Sequence, residues 1–206
     1  LHGGVPMLWM IRWAGSFPIF AKEAKGAHFT DVDGHDYIDF CLGDTGAMTG
    51  HAPDATVKAI TEQIQKGITL MLPYEDVIWV GEELQRRFKL PYWQFALTAT
   101  DANRFALRMA RLITGRPKIL VFNYCYHGSV DETFITLDEE GTSMPRANNM
   151  GPQIDPRETS KVIEFNDIAA LETVLSARDV AAVLAEPAMT NIGIIHPNPG
   201  YHEALR

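Results

Sequence analysis

Helix-period segments alternate with short apolar runs along most of this chain. "APDATVKAITEQIQKG" opens a helix at Asp54, sets Val57, Ile60 and Ile64 at helical spacing, and meets a stop at Gly67. "EDVIWVGEELQRRFK" and "DANRFALRMARLITG" repeat the period, the second with Phe105, Met109 and Ile113 on one side and Gly115 as its stop. "DIAALETVLSA" is a further helix. Between these segments stand "WQFAL" (93–97), "KILVFN" (118–123) and "VAAVLA" (180–185), each read as a strand. Strands that alternate with helices need crossover connections, so the pattern predicts an α/β fold with a mainly parallel sheet.

Two regions break the alternation. "AHFTDVDGHDYIDF" alternates around Asp33-Gly34, a strong turn signal between two short strands. Asp31, Asp33 and Asp36 faintly resemble a calcium loop, but the bidentate Glu and the full spacing are missing, so a hairpin is expected and no metal. The stretch 138–160 is polar, contains Gly and Pro, and reads as a long surface loop. The first twenty residues are irregular and rich in aromatics. "NPGYHEALR" reads as a helix just begun, and with the start at Leu1 this leads us to expect part of a longer protein.

Composition narrows the function classes. The 206 residues are 46% hydrophobic and 21% charged, ordinary for a globular protein with a real core. A net charge of −8 argues against nucleic-acid or anionic-membrane surfaces, which need clustered Lys and Arg. The apolar run "VPMLWMI" is cut by Arg12, so no membrane span and no secretory signal are expected. Cys41 and Cys125 lie far apart and form no C-x-x-C, which fits a reducing cytoplasm.

All three expected strands run into polar residues at their carboxyl ends: "TATDAN", "YCYHG" and "EPAMTN". In open α/β sheets, ligands bind at those ends. Helix N–H groups at "TATDAN" would favour an anion such as phosphate, with Thr98 and Thr100 offering hydroxyls; plain N-capping is the simpler reading of that stretch alone. Cys125 and His127 are too few for zinc. A Cys–His nucleophile pair, a structural His127, and Tyr126 as a flat ring over a flat ligand all remain open on the residues themselves.

Several stretches together resemble a known family. "FTDVDGHDYIDF", "TGHAP", "LPYEDVIWVGEEL", "ATDANRFALRMARLITGRPKI", "CYHG", "FND" and "EPAMTNIGIIHPNPGYHEALR" occur in the order seen in class III, fold type I, pyridoxal-phosphate aminotransferases. The pattern is most similar to the glutamate-1-semialdehyde 2,1-aminomutase-like branch. The resemblance implies residues 1–50 as an N-terminal segment with its hairpin. It implies residues 51–206 as part of the large cofactor-binding domain, ending before the Schiff-base lysine. Thr98, Ala99 and Thr100 would then hold the phosphate of pyridoxal 5'-phosphate, and Tyr126 would stack on its ring with His127 beside it. Glu186 and Asn191 would sit near the 3-hydroxyl side of the ring, with Asn191 donating to that oxygen. Arg12 would meet the substrate carboxylate.

Three positions depart from the family pattern. Ala99 replaces a Gly, which disfavours a left-handed backbone. Asp101 stands where Glu is usual, and Asp44 where the aminomutases have an active-site Trp. No lysine present, Lys118 and Lys161 included, has the strand-end setting of the Schiff-base residue. The fragment alone is therefore expected to be inactive, with no catalytic residue of its own. The resemblance implies a homodimer that passes an amino group between a small amino donor and a keto or aldehyde acceptor. The alternatives are an aminomutase and a non-catalytic binding protein on the same fold.

Overall fold

The computed structural model describes every residue except Leu8, Ala14, Ser16 and Asn148, and omits the side chains of His2, Arg12 and Trp13. The chain packs as two units, Leu1–Trp79 and Val80–Arg206.

The first unit opens with a 3-10 turn at His2–Gly4 and a short helix, α1 (Met10–Trp13). A three-stranded antiparallel sheet follows, β1 (Ala21–Lys25), β2 (His28–Asp31) and β3 (Asp36–Ile38), in the order β1-β2-β3. The expected hairpin is β2–β3, with Phe29 and Tyr37 stacked across it at 4.7 Å between ring centroids. Asp31 holds this turn together through its own hydrogen bonds. Its Oδ1 accepts from the N–H groups of Asp33 and His35, both at 2.9 Å, and its Oδ2 from Tyr37 Oη at 2.9 Å. His35 Nδ1 lies 3.1 Å from the same Oδ2. Desolvation pushes this carboxyl up, but the His35 and Tyr37 bonds together outweigh it and draw Asp31 down to about 2. Asp31, Asp33 and His35 do bring ligand atoms within 4.8 Å of one another, yet those of Asp31 are already engaged by the turn itself. Helix α2 (Asp54–Ile64) begins as expected and ends three residues before the expected stop at Gly67.

Helix α3 (Asp76–Phe88) carries the division between the units. The second unit continues with α4 (Ala99–Thr114), ended by Gly115 in the left-handed conformation, and β4 (Lys118–Phe122). An antiparallel hairpin, β5 (Ile135–Leu137) with β6 (Ser143–Pro145), comes next. Then follow α5 (Pro156–Thr159), β7 (Ser160–Ile163), α6 (Ile168–Ser176), β8 (Val180–Val183) and α7 (Tyr201–Leu205). The main sheet is parallel, in the order β7-β4-β8. The central strand reads "KILVF" without polar alternation because both its faces are covered. Ile119, Leu120, Val121 and Phe122 are buried together with Leu107 of α4, Leu171 of α6 and Tyr201 of α7. No helix among the described residues is long and apolar enough to cross a membrane.

Two expectations fail, and one helix side turns out to face solvent. "WQFAL" forms no strand: no described strand pairs with it, and Leu97 is fully exposed. An apolar run becomes a strand only where a ladder partner takes its N–H and C=O groups. The region 138–160 is not a plain loop, since it holds β6 and α5 and leads straight into β7. Phe105, Met109 and Ile113 line an exposed side of α4, and Leu107 is the residue that helix buries.

Candidate functional site

The start of α4 and the loop after β4 are joined at several points. Thr98 is the N-cap: its hydroxyl oxygen accepts from Asp101 N–H at 3.0 Å, and its O–H donates to Asp101 Oδ2 at 2.8 Å. This reciprocal pair closes the first turn through the Thr98 hydroxyl. It also commits the Thr98 hydrogen. Asp101 N–H is thus capped by Thr98 Oγ1 and Ala102 N–H by the Thr98 carbonyl. The Ala99 and Thr100 N–H groups, at the positive end of the helix dipole, have no partner among the described residues. Ala99 adopts helical rather than left-handed backbone, so the missing glycine costs nothing there.

Thr100 reaches the loop. Its Oγ1 accepts from Ser129 N–H at 3.0 Å, leaving its own hydrogen to donate elsewhere. One turn on, Asn103 Nδ2 donates to the His127 carbonyl at 3.0 Å, and Arg104 Nη2 to the Ser129 carbonyl at 2.9 Å. Gly128 makes this approach feasible. Its φ is +80°, and a Cβ there would lie 2.1 Å from Thr100 Oγ1 and 3.1 Å from Thr100 Cα. Only glycine fits.

The same loop exposes Tyr126 and buries His127 and Cys125. Burial is the main reason the Cys125 thiol is pushed up, against the pull of the Arg146 guanidinium beside it. A buried thiol held in its protonated form is a poor nucleophile, so the Cys–His pair finds no support. His127 is shifted down, chiefly by burial and further by Arg146, while Glu186 opposes the shift. From the end of β8, Glu186 Oε2 accepts from Thr190 N–H at 3.1 Å and from Thr190 Oγ1 at 2.5 Å. Asn191 Nδ2 donates to the Tyr124 carbonyl at 2.9 Å, which ties the segment after β8 to the loop after β4.

The structure therefore brings together Thr98, Ala99 and Thr100 with the Tyr126–His127 loop, and joins Asn191 to that loop. Arg12 lies on α1, and its side chain is outside the described residues. Asn103 and Asn123 were missed. Asn103 carried a signal, one turn past a helix start with free N–H groups; Asn123 carried none, because its partners are far away in sequence.

The arrangement suits a phosphorylated flat ring: free N–H groups and a donor hydroxyl at a helix start, beside an exposed aromatic face. A family profile described as Aminotransferase class-III matches residues 9–206. The chain belongs to the class-III aminotransferase family. A glutamate-1-semialdehyde 2,1-aminomutase of Methanosphaera stadtmanae is 34% identical, aligned over 100% of this chain and 48% of its own. That of Methanocaldococcus jannaschii is 35% identical over 95% of this chain and 47% of its own. Among solved structures, a glutamate-1-semialdehyde-aminomutase from Pseudomonas aeruginosa PAO1 is 52% identical with a TM-score of 0.96, covering 100% of this chain and 46% of that one. An omega-transaminase from Sphaerobacter thermophilus is 28% identical with a TM-score of 0.87, covering 99% of this chain and 49% of that one. The class-III chain described here spans about half the length of the curated relatives it matches. Its fold is that of the fold type I transferases.

Proposed function

We propose that this chain is the cofactor-gripping half of a pyridoxal-phosphate-dependent aminotransferase that passes an amino group from an amino acid or amine to a keto acid or aldehyde. Residues 1–50 would be its N-terminal segment and 51–206 part of its large domain. The observation that carries the reading is the clasp of Gly128 on Thr100, which holds the loop bearing the exposed Tyr126 against a helix start with free N–H groups. The Ala99 and Thr100 N–H groups and the Thr100 hydroxyl would hold the phosphate. Thr98 would shape the turn, its own hydrogen being committed to Asp101. Tyr126 would lie on the ring, with His127 packed behind and Glu186 and Asn191 toward the 3-hydroxyl side. Arg12 is the candidate for the substrate carboxylate. When bound, the protonated pyridine ring supplies an electron sink for the carbon that bears the amino group.

A second reading is an aminomutase, which moves the amino group within one substrate. The 52% identity to the Pseudomonas enzyme favours it, whereas Asp44 in place of a Trp weighs against it. The deciding experiment assays the complete gene product with a panel of amino donors alongside glutamate-1-semialdehyde. Turnover of donor and acceptor pairs supports transfer, and turnover of the semialdehyde alone supports the mutase. Failure to bind pyridoxal phosphate at all would leave the non-catalytic reading.

Tyr126 is expected to act through its ring face. Tyr126→Phe should keep most activity, whereas Tyr126→Ala should weaken cofactor retention by several-fold, since such stacking contributes about 0.5–1.5 kcal/mol beyond area burial. Equal and severe loss of cofactor in both variants, read by absorbance after gel filtration, would point to the hydroxyl instead.

We also propose a homodimer working in the cytoplasm on small-molecule substrates. Leu70, Met71, Leu72 and Trp79 are all exposed, an apolar cluster larger than a connecting segment normally leaves in water. Tyr74 is half-buried and donates to the Gly67 carbonyl at 2.6 Å, so it props the segment from within. Met71→Asp with Leu72→Asp should shift the complete protein toward monomer in sedimentation. A dimer unchanged in mass and affinity would place the contact elsewhere.

A further inference from the structure

The β5–β6 hairpin carries a side chain that the phosphate and ring contacts leave unused. Arg146 directly follows β6, with its N–H bonded to the Phe134 carbonyl at 2.9 Å. Its Nε and Nη2 atoms are buried, and neither meets a hydrogen-bond partner among the described residues. The same is true of His127 Nε2 and of Glu186 Oε1. Three elements thus each bury polar atoms that have no partner among the described residues. The loop after β4 supplies Cys125 and His127, the hairpin supplies Arg146, and the segment after β8 supplies Glu186. The guanidinium lies beside the Cys125 thiol, and Arg146 and Glu186 both act on His127 with opposite sign.

Arg146 and Glu186 are each partly buried, and the Arg146 Nε and Nη2 and Glu186 Oε1 atoms meet no hydrogen-bond partner among the described residues, so both charges act on His127 through space. Arginine suits the task because it stays charged and presents planar donors from a hairpin anchored at its far side. We propose that Arg146 is a positioning residue of the ring-binding site, its guanidinium supplying the charge against which Glu186 and His127 are oriented beneath Tyr126. This rests on the reading that the loop after β4 holds the cofactor ring.

The sign of the electrostatics gives a test that needs no turnover. His127 is held below the ordinary histidine value, first by burial and then by Arg146, against the pull of Glu186. Stability that depends on neutral His127 is therefore complete above the ordinary histidine value and is lost as pH falls through and below it. Arg146→Met removes one downward influence, while burial still lowers His127 and Glu186 and the Leu184 backbone still raise it, so the His127 titration should move to higher pH.

The experiment follows histidine ring resonances of the complete gene product, without cofactor, across pH 4 to 8. We expect Arg146→Met to raise the His127 midpoint, Glu186→Gln to lower it, and Arg146→Lys to stay near wild type. Should Arg146→Met not fold, Arg146→Gln and Glu186→Gln give the same two directions. A second arm measures pyridoxal-phosphate affinity: Arg146→Met should weaken it on the order of tenfold, with Arg146→Lys restoring most of the loss. A His127 midpoint unmoved by loss of Arg146, or a Lys variant as impaired as the Met variant, overturns the proposal. The titration is read without cofactor, so a protein that binds none refutes the aminotransferase reading without deciding this one.

Discussion

Gly128→Ala should uncouple the loop after β4 from the start of α4. The new Cβ would meet Thr100 Oγ1 at 2.1 Å and the Thr100 Cα and Cβ atoms at 3.1 Å, so rotating one side chain does not relieve the overlap. The φ of +80° adds a backbone cost. Left-handed backbone costs an L-residue about 1–2 kcal/mol, and overpacking a fitted contact about 1–3 kcal/mol, so the sum is roughly 2–5 kcal/mol. The least costly escape is for the loop to swing away, which breaks the Ser129–Thr100 bond and shifts the Tyr126 ring from the helix start. Pyridoxal-phosphate affinity should therefore fall more than tenfold in the complete gene product, with a smaller drop in melting temperature. Thr100→Ala added to Gly128→Ala removes the 2.1 Å contact but neither the φ strain nor the closeness of the Thr100 backbone, so it should recover only part of the loss. A Gly128→Ala protein that binds cofactor as wild type does would show the clasp to be dispensable.

That clasp was half legible in the sequence. "YHG" signals a turn, and "TATDAN" signals a capped helix start with spare N–H groups, because both depend on neighbours within a few residues. Their meeting is not legible: Thr100 and Ser129 are 29 residues apart, and no local pattern encodes the approach. The same distinction runs through the fold. Central β4 could be read from "KILVFN" because a strand covered on both faces needs unbroken apolar residues. "WQFAL" has the same look and forms no strand, since composition does not reveal whether a ladder partner is present. Phe105, Met109 and Ile113 share a helix side as their spacing demands, but spacing does not tell which side meets this unit's core. Arg146 sits in a stretch read as surface loop, where Gly, Pro and polar residues concealed a hairpin docked on the sheet.

What docks that hairpin is Asn123, the last residue of "KILVFN" and the first beyond β4. It is buried, and its N–H donates to the Ile163 carbonyl of β7 at 2.8 Å. Its Nδ2 donates to Glu164 Oε1 at 2.6 Å. Its Oδ1 accepts from Thr136 Oγ1 at 2.6 Å and from the Leu137 N–H at 3.2 Å, both on β5. One amide side chain thus binds the carboxyl end of the central strand to β5 and to the end of β7. Asn123→Leu keeps the size and removes all three side-chain bonds. Each of the three bonds contributes about 0.5–1.5 kcal/mol net, and stranding a buried donor costs about 1–3 kcal/mol, which together make a loss of roughly 3–7 kcal/mol. For a unit of this size that corresponds to a fall in melting temperature on the order of 10 °C. Glu164 can turn to water, but the Leu137 N–H and Thr136 hydroxyl have to find new partners, so the hairpin should loosen first. Hydrogen exchange at Leu137 and Arg146 should therefore quicken in Asn123→Leu well below the melting transition, while β4 itself stays protected. Uniform loss of protection across β4 and β5 would mean that Asn123 braces the whole sheet, and unchanged exchange at Leu137 would mean that the hairpin is held by something other than this amide.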